Sequence, residues 1–384
     1  MISPSKRSSV EPFHAMDVLA EATRRARAGR PVISMAVGQP AHPAPEAALA
    51  AARSALEGGR IGYTDALGSA GLKSAIARHY RERHEIELDP ERVAVTTGSS
   101  AAFNLAFLAL FDPGDRVAIT RPGYPAYRNI LIALGLEPVE IVAGPETGFT
   151  LTPAAIEAEQ SRRGRIAGVL LASPANPTGT VTSRAALAAL ADYCRANAMT
   201  FISDEIYHGL TYVGEEATAL ELSDEAVVVN SFSKYYCMTG WRVGWMVLPS
   251  TLVRPIERVA QSLYISPPEL SQIAAEAALD ARAELDAVRD GYDRNRRLLE
   301  KRLPGLGLSI ASPMDGAFYA YADISRYSND SMSFAYKMLE TIDVAATPGL
   351  DFDPIEGHRT MRFSYAGRYE DMNEALDRIE SWLT

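Results

Sequence analysis

Residues 226–234 read Ala226-Val227-Val228-Val229-Asn230-Ser231-Phe232-Ser233-Lys234, and Gly240-Trp241-Arg242 follows a few positions later. The apolar first half predicts a buried strand, whose end places a single amine, Lys234, among small hydroxyl side chains. An amine held away from water loses its proton more easily, because desolvation disfavours its charged form. A neutral amine can attack a carbonyl carbon and form a Schiff base. Of the five lysines in the chain, only Lys234 has the surroundings of a reactive amine.

The composition excludes several classes of protein. The chain has 384 residues, of which 47% are hydrophobic, enough for a packed core and for two or three domains. Its formal net charge of −10 argues against a nucleic-acid partner, and no segment approaches the ~18 consecutive apolar residues of a membrane span. Residues 1–9 are polar, without the apolar core of a signal peptide. The chain has only 2 cysteines, so we expect no disulfide framework and a cytoplasmic location.

The histidines and glycines show no competing motif. None of the 6 histidines is spaced as a metal ligand, so no metal is expected. Residues 78–84, which contain His79 and His84, are interpreted as a solvated helix end because charged side chains surround both histidines. A dinucleotide-dependent dehydrogenase would require Gly-x-Gly-x-x-Gly after a first strand, and this pattern is not found.

Apolar runs alternate with helical patterns over the first two thirds of the chain. This alternation favours an α/β fold in which helices cover both faces of a mainly parallel sheet. The predicted strands are residues 92–97, 115–120, 137–142, 166–172, 199–203, 226–230 and 243–248, and predicted helices between them include residues 100–111, 124–134 and 183–197.

From about residue 251 the pattern becomes helical and then mixed, which predicts a second, smaller α+β domain. A helix at residues 15–28 is expected to join it. We therefore predict a large domain at residues 47–280 and a small domain formed by residues 1–46 together with residues 281–384. The elements predicted after residue 251 are long helices within 269–302, strands at 308–311, 317–321 and 360–364, and helices at 333–341 and from 370.

Several motifs fall at the ends of predicted strands, where open α/β sheets bind their ligands. The turn at residues 97–101, Thr97-Gly98-Ser99-Ser100-Ala101, offers N–H groups and hydroxyls to a phosphate, although a plain serine N-cap explains it equally well. Two prolines and a glycine fix the backbone around Asn176, either for a ligand or as a rigid turn. Asp204 ends an apolar strand, so it either has a buried cationic partner or caps a helix.

In this order, from about Ile33 to Arg362, the motifs resemble those of the class I/II aminotransferases, which are pyridoxal-phosphate enzymes of fold type I. The resemblance implies a mainly parallel seven-stranded sheet between helices, plus a smaller α+β domain. It also implies transfer of an amino group between an L-amino acid and a 2-oxo acid. Lys234 would form the Schiff base with pyridoxal 5′-phosphate, and Asp204 would pair with the protonated ring nitrogen.

The remaining matches surround the same coenzyme. Tyr207 and Asn176 would donate hydrogen bonds to the ring oxygen, and Tyr124 would stack on the ring face. Arginine suits a phosphate dianion because its planar guanidinium makes paired contacts. The residues that the resemblance assigns to the phosphate are Ser99, Ser100, Ala101, Ser231, Ser233 and Arg242.

Two matches extend the site to the substrate and to a second subunit. Tyr63 matches a tyrosine that reaches the phosphate of the partner subunit, which implies a homodimer with shared active sites; the alternative is a loop aromatic that packs locally. Arg362 matches the arginine that binds the substrate α-carboxylate bidentately, together with Asn176 and the backbone near Gly38. An exposed position for Arg362 is disfavoured, because apolar neighbours alternate with it along the strand.

Two loops depart from the family pattern. Gly38-Gln39-Pro40-Ala41-His42 stands where many relatives read Gly-Glu-Pro-Asp-Phe, and Pro348-Gly349-Leu350-Asp351-Phe352-Asp353 stands where many read Pro-Gly-Ser-Ala-Phe-Gly. A dicarboxylate substrate needs a second buried cation, which the sequence does not identify. We therefore expect a neutral, aromatic or branched amino donor, with aspartate as the alternative. Phe352, Tyr124 and His14 are the expected pocket walls.

Two other functions use the same fold. A carbon–sulfur β-lyase, or another eliminating enzyme, would need the same lysine and the same acid, so this reading stays open beside transamination. A coenzyme-sensing regulator is disfavoured, because the matched segment begins within the first few dozen residues and the net charge is acidic.

Overall fold

Two β-sheets organise the chain in the computed structural model, which describes residues 2–384. In chain order the strands are β1 (Ile33–Met35), β2 (Val93–Thr96), β3 (Arg116–Arg121), β4 (Glu137–Val142), β5 (Gly168–Ala172), β6 (Thr200–Asp204), β7 (Val227–Ser231), β8 (Gly244–Val247), β9 (Ser309–Ile310), β10 (Tyr319–Asp323), β11 (Val344–Pro348) and β12 (Thr360–Ser364).

Helices connect and cover these strands. In chain order they are α1 (His14–Arg27), α2 (Glu46–Glu57), α3 (Ala70–His84), α4 (Ser99–Leu110), α5 (Pro125–Leu134), α6 (Pro153–Arg163), α7 (Arg184–Ala196), α8 (Ser250–Tyr264), α9 (Glu269–Ala278), α10 (Arg282–Gly305), α11 (Ser331–Ile342) and α12 (Tyr369–Leu383). None of the helices within residues 2–384 has the length and apolar character that crossing a membrane requires.

The larger sheet has the strand order β2-β8-β7-β6-β5-β3-β4, and only β8 runs against its neighbours. Its central strand β7 is buried on both faces: Val227 and Val229 pack into one core, and Val228 packs into the other. The prediction of a mainly parallel seven-stranded sheet between helices is confirmed. Because β8 opposes both β2 and β7, strands β2, β3, β5, β6 and β7 end at the same edge of the sheet.

The smaller sheet has the order β1-β11-β12-β10-β9, in which β1 pairs in parallel with β11 and the other pairs are antiparallel. Helices α1 and α11 pack against β11, and α10 packs against β9 and β10. All strands of the larger sheet fall within residues 47–280, and those of the smaller sheet fall within residues 1–46 and 281–384. The exact domain boundaries stay a prediction.

Some elements differ from those predicted. Strands β1 and β11 and helix α6 were not predicted, whereas β4 and β12 have the predicted bounds. The interpretation of residues 78–84 as a solvated helix end is wrong, since His79 packs against Tyr80, Tyr236 and Trp245. The side chain of His84 is only 4% exposed and lies beside Glu221. Packing against the segment after β6, the loop after β7 and strand β8, rather than the charged local sequence, decides where these histidines lie.

Candidate active site

A cavity of about 190 Å³ lies between the two sheets. It is found at the edge of the larger sheet where the parallel strands have their carboxyl ends. Loops after β2, β3, β5, β6 and β7 contribute to its wall, because parallel strands end at one edge. The predicted site residues that line it are Gly38, Ser99, Ser100, Tyr124, Asn176, Asp204, Tyr207, Ser233, Lys234, Arg242 and Arg362.

Three predicted site residues do not line this cavity. Ala101 lies in the first turn of α4, where its N–H bonds to the carbonyl oxygen of Gly98. Ser231 lies behind Ser233, and its hydroxyl donates to the Ser233 hydroxyl over 2.9 Å. Tyr63 is 81% exposed on the protein surface. The contacts assigned to these three, like the roles assigned to the residues that line the cavity, stay predictions.

The amine of Lys234 lies inside the cavity rather than in solvent. Its Nζ donates a hydrogen bond to the carbonyl oxygen of Gly38 over 2.6 Å. Burial, together with the charges of Arg362 and Arg242, lowers the pKa of Lys234 to about 7, while Asp204 acts in the opposite direction. A large fraction of this amine is therefore neutral near neutral pH and can act as a nucleophile or a base.

Asp204 is buried at the end of β6, in the same cavity. Burial raises the pKa of its carboxyl group to about 6, and a hydrogen bond donated by the Tyr127 hydroxyl opposes this shift. The N–H of Ile206 donates to the other carboxylate oxygen over 3.1 Å. Tyr127 was not predicted, because its place on α5 does not indicate which strand end it faces. A buried carboxylate with few partners is suited to a cation brought by a ligand.

Another part of the cavity is suited to an anion. Helix α4 begins at Ser99 without a side-chain cap, and Gly98 before it has a φ of 81°. The Arg242 guanidinium lies so close that a Cβ on Gly98 would stand 2.4 Å from its Nη2 atom. The hydroxyl-bearing residues Ser99, Ser100 and Ser233 also line the cavity here. An uncapped helix start, an arginine and hydroxyl groups together form a typical phosphate site.

Arg362 is buried on β12, and its guanidinium bonds to groups from three parts of the chain. Nη1 donates to Oδ1 of Asn176 over 2.9 Å, and Nη2 donates to the carbonyl oxygen of Ala36 over 2.5 Å and to Oγ1 of Thr347 over 3.2 Å. Its Nε has no hydrogen-bond partner among the described residues. Buried donors are normally paired, so this arrangement suits an arriving carboxylate.

Aromatic rings hold the Arg362 guanidinium in place. The ring centroid of Tyr319 lies 4.3 Å from its central carbon, and that of Phe352 lies 4.7 Å away. The hydroxyls of Tyr319 and Tyr207 are 2.7 Å apart. Tyr319 was not predicted as a site residue, because a tyrosine in a buried strand such as β10 is typical of core packing. Tyr319 thus connects the predicted carboxylate-binding arginine with a predicted coenzyme contact.

The expected pocket walls are partly different from those observed. Tyr124 lines the cavity, whereas Phe352 lies behind it, against Arg362. His14 begins α1, and its side chain points towards Asp17, with a nitrogen–oxygen distance of 3.9 Å. The apolar residues that do line the cavity are Phe13, Ala15, Met16, Val37, Phe103 and Ile206.

One cluster outside the cavity has the residue types of a metal site. His84, His208 and Glu216 place ligand atoms within 4.8 Å of one another. Glu216 is already paired with Arg83 over 2.9 Å, and it accepts a hydrogen bond from the backbone N–H of residue 209. Glu216 is the only carboxylate among these three residues, and Arg83 already neutralises it. The cluster therefore forms a satisfied polar network behind the segment that carries Asp204.

Comparison with known proteins agrees with this geometry. The sequence model for "Aminotransferase class I and II" matches residues 30–379. The chain is 49% identical over 382 residues to the valine–pyruvate aminotransferase of Mycobacterium tuberculosis, a match that covers 98% of this chain and 97% of that protein.

Solved structures give the same result. The crystal structure of an aminotransferase from Mycobacterium tuberculosis matches with a TM-score of 0.96 at 47% identity, over 100% of this chain and 99% of that one. The aspartate aminotransferase from Thermus thermophilus with maleate matches with a TM-score of 0.91 at 34% identity, over 99% and 100% of the two chains. The chain therefore belongs to the class I and II aminotransferases, enzymes that move an amino group between an amino acid and a 2-oxo acid.

Proposed function

We propose that this aminotransferase uses pyridoxal 5′-phosphate bound at Lys234, takes a small branched amino acid such as valine as donor, and takes pyruvate as acceptor. The observation that supports the coenzyme is the cavity itself. It brings together an amine of lowered pKa at Lys234, a buried carboxylate at Asp204 and an anion site at Ser99 and Arg242.

The residues present fit each end of this coenzyme. The uncapped start of α4, with Arg242 beside Gly98, is suited to the phosphate group. Asp204 is suited to the protonated ring nitrogen, and Tyr124 lines the cavity as the proposed stacking partner. When bound, pyridoxal 5′-phosphate supplies an electron sink for the bond that is broken at the substrate α-carbon.

The chain's own side chains would then bind the substrate and move its proton. Arg362 would bind the α-carboxylate through its unpartnered Nε and adjacent Nη atoms, with Asn176 fixing the guanidinium. This grip orients the α-carbon relative to Lys234, and orientation is a large part of the rate. The neutral amine of Lys234 would accept the substrate α-proton and give it up again, because its pKa of about 7 suits both directions of transfer.

The donor is proposed from the charges and the apolar lining of the cavity. The cationic side chains that line it are Lys234, Arg242 and Arg362, and each already has one of the roles above. A second carboxylate, as in aspartate, would need another buried cation from elsewhere. The apolar wall instead suits a short hydrocarbon side chain. The relative in Mycobacterium tuberculosis, which carries the name valine–pyruvate aminotransferase, supports this choice.

The experiment is a transamination assay of the purified protein with added coenzyme. Valine and pyruvate should give alanine and the 2-oxo acid of valine in equal amounts, whereas Lys234→Ala should bind coenzyme but show almost no turnover. Borohydride treatment followed by peptide mapping should find the coenzyme attached at residue 234. Release of pyruvate and ammonia from cystathionine, without any oxo-acid acceptor, would support an eliminating enzyme instead. Transfer from aspartate but not from valine would contradict the proposed donor.

A further inference from the structure

The start of helix α1 is held by a residue far away in the sequence. Phe13 occupies its N-cap position and makes no side-chain cap hydrogen bond. The first two helical N–H groups, those of His14 and Ala15, instead donate to the two carboxylate oxygens of Asp351, over 2.8 Å and 2.7 Å. A carboxylate at this position satisfies donors that a helix start leaves free and interacts favourably with the helix dipole. Asp351 is itself buried.

The capped residues form part of the cavity wall. Phe13, Ala15 and Met16 all line the cavity, and the Phe13 ring meets the Tyr124 ring edge-on, with centroids 5.7 Å apart. Met16 is 52% exposed, so little other packing holds it in place. The position of this wall therefore depends on where α1 begins.

The loop that carries Asp351 also touches the rest of the site. The carbonyl oxygen of Phe352 accepts a hydrogen bond from the N–H of Gly123 over 3.0 Å, next to Tyr124 in the wall. The ring of Phe352 lies against Arg362. One loop thus fixes the wall at Phe13, the turn before Tyr124 and the carboxylate-binding arginine relative to each other. Its sequence is also where this chain departs from the family pattern, which has alanine at the position of Asp351.

We propose that Asp351 is a positioning residue that determines amino-donor specificity. By capping α1, it fixes Phe13 and Met16 as an apolar wall against the γ-carbons of the donor. This inference rests on the proposed function, because it concerns the donor side chain of the same reaction. Asp351 touches neither the substrate nor the reacting atoms.

The test compares valine with alanine, whose side chain ends at the β-carbon and does not reach the wall. The acceptor is 2-oxobutyrate, because alanine and pyruvate would only exchange with each other. Asp351→Ala removes both acceptors from the start of α1 and leaves the rest of the loop unchanged. In this variant the ratio of kcat/KM for valine to kcat/KM for alanine should fall about 3- to 30-fold, the effect expected from the loss of one helix cap. Most of the change should lie in KM for valine, and kcat for alanine should stay close to its original value.

Phe13→Ala and the double variant show whether Asp351 acts through the wall. Phe13→Ala should lower the same ratio, and adding Asp351→Ala to it should lower the ratio little further, since coupled residues are not additive. If Asp351→Ala does not fold, Asp351→Asn, which keeps one oxygen acceptor, should give a smaller fall in the same direction.

The possible failures can be told apart. An unchanged valine-to-alanine ratio in folded Asp351→Ala, or equal losses for both donors, would overturn the role of Asp351 while leaving the proposed function intact. Additive effects of the two substitutions would also overturn it. No transfer from valine by the unmodified enzyme would contradict the proposed function, and the inference with it.

Discussion

At the scale of single residues, the cavity depends on charges that act on one another at close range. Lys234 lies near two arginines, and their charges add to burial in lowering its pKa to about 7. Arg362 contributes more to this effect than Arg242 does. The residue proposed to bind the substrate carboxylate therefore also helps to keep the amine neutral.

The first prediction concerns the protonation of Lys234 in the coenzyme-free enzyme. Modification of Lys234 by an amine-reactive reagent should rise with pH around a midpoint of about 7. Arg362→Leu should move the midpoint upward because a neighbouring positive charge is lost, whereas Arg362→Lys should keep it nearly unchanged. The measurement is the rate of labelling at residue 234 by peptide mapping, with the other four lysines as internal controls.

The lowered pKa of Lys234 also determines whether the free energy of unfolding rises or falls with pH. The unfolded chain binds a proton at Lys234 up to a pKa of 10.5, whereas the folded chain releases it at about 7. Between these two values the unfolded state binds more protons, so this group makes the free energy of unfolding rise with pH. A labelling midpoint close to that of the other lysines would contradict both the neutral amine and this stability effect.

The second prediction separates charge from geometry at Arg362. Arg362→Lys keeps the positive charge but loses the paired donors and the stacking between Tyr319 and Phe352. KM for the amino donor should rise about 10- to 150-fold, the equivalent of one lost charge-assisted hydrogen bond. Coenzyme affinity should change little, which equilibrium dialysis would show. Equal losses in coenzyme affinity and donor binding would mean that Arg362 holds the fold rather than the substrate.

At the scale of elements, Asp343 joins α1 to the end of α11. It adopts a φ of 52° at the C-cap of α11, and its carboxylate is paired with Arg25 over 3.1 Å and with Arg30 over 2.7 Å. These pairs lower the pKa of Asp343. Their contribution to stability is therefore present above its unfolded pKa and is lost as the pH falls through the lower, folded value.

The third prediction tests this junction. Asp343→Asn removes the charge but tolerates the left-handed backbone, so it should cost about 1 kcal/mol in the free energy of unfolding. Asp343→Ala should cost about 2 kcal/mol, because the backbone strain is added to the lost ion pairs. Chemical denaturation would measure both. The loss in Asp343→Asn should shrink at acidic pH, and a loss independent of pH would contradict the role of the charge.

The sequence could predict elements whose signal is local. The β-branched run of β7, and the alternation of Arg362 with apolar neighbours on β12, both indicate buried strands. The motifs follow at the ends of such strands. Strands β1 and β11 were missed because each is defined by a distant partner, with Ile33 beside Val344, and β1 has only 3 residues. The cap of α1 by Asp351 was missed for the same reason, since the two lie more than three hundred positions apart.

Within the site, residues that carry a motif were predicted, and residues that only support them were not. Lys234, Asp204 and Arg362 belong to recognisable patterns at strand ends. Tyr127 and Tyr319 have no such pattern, because an aromatic residue in a helix or strand usually means core packing. Tyr127 contacts Asp204 only because α5 packs against the end of β6. Tyr319 contacts Tyr207 only because β10 packs against the loop that follows β6.

At the scale of the whole molecule, the exposed position of Tyr63 bears on the predicted second subunit. Tyr63 is 81% exposed and does not line the cavity. Its neighbour Ile61 and the residues Leu263 and Ile265 at the end of α8 are also exposed apolar side chains. The N–H of Gly62 donates to Glu269 over 2.5 Å, which holds the two segments together. Exposed apolar side chains on these two segments support the homodimer that the family resemblance predicts.

The fourth prediction tests whether Tyr63 completes the site of a second subunit. A dimer of Lys234→Ala alone lacks the amine in both sites, and a dimer of Tyr63→Phe alone lacks the hydroxyl in both. In a hybrid of the two, one site receives its lysine from the Tyr63→Phe subunit and its tyrosine from the Lys234→Ala subunit, so that site is native. Purified hybrids carrying two different tags should then show about half the activity of the native dimer at limiting coenzyme.

The comparison of the hybrid with its parents decides between the two readings of Tyr63. If Tyr63 reached only the site of its own chain, each hybrid site would lack one residue, and activity would not exceed the mean of the two parents. If instead it crosses the interface, the activity of the hybrid exceeds that mean, and the excess disappears when the hybrid dissociates. A second hybrid, with both substitutions on one subunit and a native partner, provides the matched control. There each site lacks one residue when Tyr63 crosses, so low activity in this control beside high activity in the first hybrid requires a shared active site.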